Sequence, residues 1–310
     1  MRRIQNLVRH QLWSAVRDAR VLTRYLAAST AFVALASIAP PVARAAQQIG
    51  SSRTALATVL DPRNRPLVDV DVDDFVIQEG GQPREILSVH PADYPIVVMI
   101  DVGRSAQSDL SFMQAAVGRF VERVGEQRPV ALGVYSEHGR IVAAFDVERP
   151  QLMERLNAVA LDGSTESVAI EGAAEAARVA ASTGALFSAA VVLSAAPRDD
   201  RSMRVDEIVG GIVDSGTMVH VIANRVERFT QPVAPGMVAT LRSLAEQTRG
   251  GYTTIYSAAS YQAALEQLAN RFATELMVEY LVPNASRATD VKVGVRIPGA
   301  HVRGLGVAPR

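Results

Sequence analysis

Hydrophobic and polar positions change rhythm near residue 92. Before it, short runs alternate. Thr54–Leu60 reads as a strand, and Asp61-Pro62-Arg63-Asn64 is a turn cluster. Val68, Val70 and Val72 alternate with Asp69, Asp71 and Asp73, the pattern of a strand with one wet face. Phe75–Gln78, a Gly80-Gly81 turn and Ile86–Val89 complete a small β unit. From Pro95 the apolar runs become continuous, as strands buried on both faces require: PIVVMI (95–100), VALGVY (130–135), AAVVLS (189–194) and MVHVIA (218–223). RIVAAF (140–145) turns back on VALGVY as a hairpin, and YTTIY (252–256) is a further strand. Helical stripes separate them: Phe112, Ala116, Phe120 and Val124 with Val117 and Val121, then Leu152–Val159, Val168–Ala181, Val205–Val213 and Val238–Thr248. Tyr261, Leu265, Leu268, Phe272 and Leu276 line a last helix, and MVEYLV (277–282) and VKVGVRI (291–297) return to strand. Strands and helices in this alternation predict an α/β fold with a doubly wound, mostly parallel, Rossmann-like sheet.

The charge balance changes the picture at the N-terminus. Net charge over 310 residues is zero, yet the first 45 hold seven Arg and one acid, which leaves 25 basic and 31 acidic residues beyond them. A mildly acidic remainder argues against nucleic acid as a partner, because that affinity rests on phosphate neutralisation. Tyr25–Ala39 is charge-free, Pro40-Pro41 breaks it, and Ala43-Arg44-Ala45 places small residues where a signal peptidase reads. Residues 1–45 therefore read as a secretory signal with an unusually long basic region, a start downstream near Val21 being the alternative. The alternative, an uncleaved anchor, conflicts with an Ala/Ser/Thr-rich run ending in Pro-Pro. The expected division is 1–45 signal, 46–92 β-rich region, 93–276 α/β domain and 277–310 C-terminal β extension. The mature protein would be exported, periplasmic or extracellular, with no stable membrane span. There is no cysteine, so disulfides, thiolate metal sites and a cysteine nucleophile are excluded.

In such a sheet ligands gather beyond the carboxyl ends of the strands. Three loops fall there: Asp101–Ser105, Gly163–Ser167 and Ser194–Asp200. They offer Asp101, Ser105 and Thr165, oxygen donors suited to a hard divalent cation. Other constellations are weaker. The acids at 69, 71, 73 and 74 lack the turn glycine and distal Glu of a calcium loop. His90, His138 and His220 fall on different elements, and no His-x-x-Glu-His or Gly-x-Ser-x-Gly occurs. Gly304-Leu305-Gly306 precedes no helix and is not a nucleotide loop, and Asn284-Ala285-Ser286 is a chance-prone glycosylation sequon.

In this order of elements the chain resembles the von Willebrand factor type A family, over about Pro95 to Leu276. That family holds a metal ion with D-x-S-x-S after the first strand, a Thr in a later loop and an Asp after the fourth strand. The flanks resemble a bacterial secreted subset: Asp74-Phe75 with Glu79-Gly80-Gly81, then Tyr280-Leu281, then Val293-Gly294-Val295-Arg296-Ile297-Pro298-Gly299; that resemblance implies that the flanking N- and C-terminal strands pair into one small sheet beside the α/β domain. Here the first motif reads Asp101-Val102-Gly103-Arg104-Ser105, so Gly103 replaces a ligand hydroxyl, and Ala195 stands where the second carboxylate belongs. Asp101, Ser105 and Thr165 remain as a degenerate metal-ion-dependent adhesion site, with Asp199, Asp200 or Glu166 as substitutes only if the loops fold back. Arg104, turned inward, would add a cation of the wrong sign. Mg²⁺ or Mn²⁺ is the only cofactor the resemblance supplies, and the expectation is a domain that does without it.

The resemblance implies a non-enzymatic module that binds a protein partner through the loops atop its sheet. Candidate contacts are Arg104–Leu110, Leu161–Ser167, Pro197–Met203 and Arg225–Gly236. The alternative is a structural component of envelope assembly that docks through its flanking strands without metal. No nucleophile–base pair at recognisable spacing supports an enzyme.

Overall fold

The computed structural model describes residues 51–125, 128–196, 205–225, 235–283 and 289–308. In chain order the elements are β1 (Ser51–Leu60), β2 (Pro66–Leu67), β3 (Phe75–Glu79), β4 (Gln82–Arg84), β5 (Ile86–Pro91), β6 (Ile96–Asp101) and α1 (Leu110–Arg123). There follow β7 (Val130–Tyr135), β8 (Gly139–Ala143), α2 (Arg149–Asn157), α3 (Ala169–Ala181), β9 (Ala189–Ser194), α4 (Val205–Ser215) and β10 (Met218–Asn224). The last are α5 (Pro235–Gln247), β11 (Gly251–Ile255), α6 (Ser260–Phe272), β12 (Leu276–Val282), β13 (Val291–Val295) and β14 (His301–Ala308).

Six strands form a mixed sheet in the order β11-β10-β9-β6-β7-β8. β8 is antiparallel to β7 and the other pairings are parallel. The continuous apolar runs follow from helices on both faces. Val98, Ile100, Leu132 and Val191 pack with Met113, Phe120, Leu152, Tyr261 and Phe272 of α1, α2 and α6. Val97, Met99, Ala131 and Val192 pack with Ile170, Ala173, Ile212, Leu241 and Leu244 of α3, α4 and α5. The small residues of α3 let it come close: a Cβ on Gly172 would fall 2.7 Å from the Tyr135 ring.

The flanking strands make two sheets, not the single one expected. One is five-stranded, β14-β1-β12-β5 with β2 on β1, and the other is β13-β3-β4. β1 and β12 are apolar on both faces, and alternation sends their side chains two ways. Leu56 and Met277 join the core beneath α1 and α6. Ala55, Val59, Leu276, Val278 and Tyr280 meet Phe75 and Ile77 of the small sheet. The five-stranded sheet is thus a middle layer, and one sheet would have left one of its faces wet.

Further differences have local causes. The Asp–Val segment is not a strand. Val68 is exposed, only Val70 is buried, and Asp71 and Asp74 form a capping box around a 3-10 turn at Val72–Asp74. Aspartate favours such caps over sheet interiors. Phe112 is exposed on α1, whose buried face runs through Leu110, Met113, Ala116, Val117, Phe120 and Val121. Leu276 begins β12 rather than closing α6. β14 went unread because Gly304 and Gly306 interrupt its apolar pattern.

Two buried ionisable clusters bind the layers. Arg53 on β1 donates to Glu79 at the end of β3, both side chains 4% exposed, and Arg84 Nε lies 3.7 Å from the same carboxylate. His220 on β10 packs edge-on to Phe272 at 5.2 Å, and burial, reinforced by Arg271, lowers its pKa to about 3.

Glu79→Ala, which leaves Arg53 buried and unpaired, is expected to cost about 3–5 kcal/mol in denaturant unfolding, whereas Arg53→Met with Glu79→Met should recover most of it. For His220 the folded pKa lies below the unfolded value near 6.5. Its contribution is complete above that pH and is lost as pH falls toward 3. Stability–pH profiles of wild type and His220→Leu should therefore diverge only below about pH 6.5, with a slope difference approaching one proton.

Candidate functional site

The parallel strands β6, β7, β9 and β10 end in Asp101, Tyr135, Ser194 and Asn224, all nine-tenths or more buried. Asp101 has no solvent exposure, and hydrogen bonds compensate its carboxylate from three directions. Oδ1 accepts from the Gly103 N–H at 3.1 Å and from the Ser167 hydroxyl, while Oδ2 accepts from the Ala195 N–H at 3.0 Å. Burial still pushes its pKa up to about 6, against the pull of these donors.

The loop that carries Thr165 lies close over Gly103. A Cβ at Gly103 would land on Ser167 Oγ, 2.9 Å from Ser167 N and 3.1 Å from the Thr165 carbonyl. That carbonyl accepts from Arg104 N at 2.9 Å, and Ser167 Oγ accepts from Gly103 N at 3.1 Å. Ser167 therefore fills the space a serine at position 103 would need. Sequence reasoning picked Thr165 from this loop and passed over Ser167; the signal was a second hydroxyl in the loop opposite a missing one.

The other expected ligands turn elsewhere. Ser105 Oγ donates to Glu166 Oε2 at 2.8 Å. Thr165 Oγ1 is buried and bears on the Asp162 carboxyl. Arg104 does not point inward: it is exposed, donates to the carbonyls of Ser164 at 2.9 Å and Gly163 at 3.4 Å, and lies 3.9 Å from Glu166. The hydroxyls of Ser164 and Ser136 hold the Asp162 carboxyl below its usual range, which braces the same loop. Asp199 and Asp200 lie outside the described residues. Among the described residues no cluster of three or more His, Cys, Asp or Glu could hold a metal ion.

A second polar group, unforeseen from sequence, stands beside the first. Asp109 is buried and accepts from Asn224 Nδ2 at 2.6 Å and Ser108 Oγ at 2.8 Å. Tyr261 of α6 donates to the Ser194 carbonyl at 2.7 Å, and Tyr135 donates to that of Leu193 at 2.9 Å. These bonds fix the strand ends to α1 and α6.

No protein-family model matches the chain, and no curated protein matches it. Solved structures do. A von Willebrand factor type A protein from Catenulispora acidiphila aligns over 78% of this chain and 74% of its own, at 12% identity and a TM-score of 0.50. BatB from Bacteroides thetaiotaomicron covers 58% of this chain and 98% of its own, at 16% identity and a TM-score of 0.44. Proximal thread matrix protein 1 from the mussel byssus, solved with a zinc-occupied MIDAS motif, covers 58% of this chain and 48% of its own, at 10% identity and a TM-score of 0.46. The likeness is one of fold: the chain carries a von Willebrand factor type A-like domain.

A double-mutant cycle tests the placement of Ser167. Gly103→Ser should cost about 1–3 kcal/mol in the wild type through overpacking, and Ser167→Ala a similar amount through the lost hydrogen bond to a buried carboxylate. In the Ser167→Ala background the cost of Gly103→Ser should fall by about 1 kcal/mol or more. Additive costs would contradict the arrangement.

Proposed function

We propose that this chain is an exported, non-enzymatic protein-interaction module, a doubly wound type A domain whose partner binds the loops at the carboxyl ends of its parallel strands without a bridging metal ion. The observation that carries this reading is the engagement of both Asp101 oxygens by donors of the protein itself. A hard cation needs oxygen lone pairs facing it. Both Asp101 oxygens already accept from N–H and O–H donors, and Ser105 is drawn toward Glu166 through its hydroxyl proton. Ala195 brings an N–H where a carboxylate would stand. This donor set does not fit Mg²⁺ or Mn²⁺.

Surface character supports the loop face. Phe112 in the first turn of α1 and Leu161 in the loop before α3 are exposed apolar side chains, and Arg104, just ahead of α1, exposes its guanidinium. The candidate contacts at 197–203 and most of 225–236 lie outside the described residues. The non-enzymatic reading is supported by the same hydrogen bonds, since Ser167 gives its proton to a carboxylate sealed from solvent. Export rests on the leader in residues 1–45, also outside the described residues. Among the described residues no helix is long and apolar enough to cross a membrane.

Thermal melting of the full chain in EDTA and in excess Mg²⁺ or Mn²⁺ tests the metal-free reading. Equal melting temperatures are expected; a bound cation at about 100 times its Kd would add ~2.7 kcal/mol and raise melting by about 5–10 °C. Such a rise, absent in Asp101→Ala, would overturn it. A photocrosslinking residue at Phe112 or Leu161 should trap a partner in the producing cell, and one at the exposed Leu281 of β12 should not. The reverse pattern would favour docking through the flanking strands.

A further inference from the structure

At the opposite end of the parallel strands, the five-stranded sheet meets the foot of the α/β layer in a cluster of charged and unpaired groups. Arg128, just before β7, stacks over Tyr94 at 4.9 Å and Phe272 at 5.8 Å, and donates through Nη2 to the Phe272 carbonyl. Tyr94 donates to Glu275 Oε2, and Arg271 Nε lies 3.5 Å from Glu275 Oε1. Arg303 of β14 pairs in register with Thr58 of β1, and Thr58 stands one residue beyond the Ala57–Leu276 pair, on the row that Glu275 continues.

Charge does not balance here. Arg128, Arg271 and Arg303 share Glu275, the only carboxylate among the described residues that bears on Arg303. Arg271 and desolvation both press against the charge of Arg303. Hydrogen-bonding capacity is unbalanced in the same sense. Thr58 Oγ1, Arg128 Nη1, His220 Nε2, Arg271 Nε and Glu275 Oε1 are all buried without a hydrogen-bond partner. Arg128 and Thr58 are 6% and 1% exposed, and His220 is 3% exposed. Glu275 Oε1 and Arg271 Nε face each other, so what stays unmatched is Nη1 of Arg128, the Thr58 hydroxyl and one ring nitrogen of His220. Buried polar groups are rarely left without partners, and surplus donors beside surplus positive charge call for an acceptor-rich anion.

We propose that this seam, at Thr58, Arg128, Arg271 and Arg303, binds a small inorganic oxyanion of the sulfate or phosphate type. Such an ion accepts several N–H and O–H bonds at once and offsets the charge that Glu275 leaves unmatched. It would tie β1 and β14 to α6 and the start of β7. The seam lies away from Asp101, so this inference is independent of the function proposed for the loop face.

The test is melting and calorimetric titration of the full chain with sodium sulfate and sodium phosphate, against sodium chloride at equal ionic strength. Wild type should show saturable stabilisation by one or both oxyanions beyond the chloride control. Arg303→Gln, which alters an exposed side chain, should weaken the affinity about tenfold, the worth of one charge-assisted bond. Arg178→Gln, an exposed arginine on α3, should match wild type. No oxyanion effect beyond chloride, or an unchanged affinity in Arg303→Gln, would overturn the proposal.

Discussion

A carboxylate buried at the end of the central strand is the constraint around which the loop face is arranged. Removing Asp101 from water costs several kcal/mol unless donors replace the lost hydration. Gly103, Ala195 and Ser167 supply those donors from three separate segments, and the last supplies it from a loop in contact with the first. The need to satisfy one charge therefore fixes the spacing of the loops. Here hydrogen-bond donors meet it and the loops close, which is why position 103 has no room for a side chain.

Burial sets the terms elsewhere too. The five-stranded sheet is covered on one face by the helical layer and on the other by β3, β4 and β13. Charged groups trapped at its two boundaries, Arg53 with Glu79 and Glu275 with its three arginines, lie where apolar packing alone would tolerate sliding. Such pairs add little net stability over apolar replacements, but an offset register would strand a charge.

The parts of the fold legible in the sequence were those governed by periodicity. PIVVMI and AAVVLS announce strands with two dry faces, and the small-residue run of α3 announces close approach to a sheet. What periodicity could not supply was lost for identifiable reasons. β14 carries glycines at 304 and 306, so its pairing with β1 is a tertiary fact with a faint local signature. The Asp–Val segment satisfies a period-two template, yet backbone capping by Asp71 and Asp74 wins over strand pairing. At the site, the motif located Asp101 and the missing hydroxyl at Gly103. It could not show that Ser167, rather than Thr165, would reach the carboxylate, because that depends on how far one loop leans over another.

The position of β1 has a consequence for how the chain is assembled. Its partners are supplied by the opposite end of the sequence: Thr54 pairs with Glu279 on one side and Ala308 on the other. When the chain is delivered with its N-terminus first, β1 emerges early, pairs at its end with the short β2, and waits for nearly everything else before its edges are filled. Closing so long a loop is slow, and Ala55, Leu56 and Ala57 remain an open apolar edge in the meantime. The α/β layer can form from nearer neighbours while that edge is held in reserve. The final strand then acts as a latch on the first, and the molecule reaches its finished state only when its last residues have arrived.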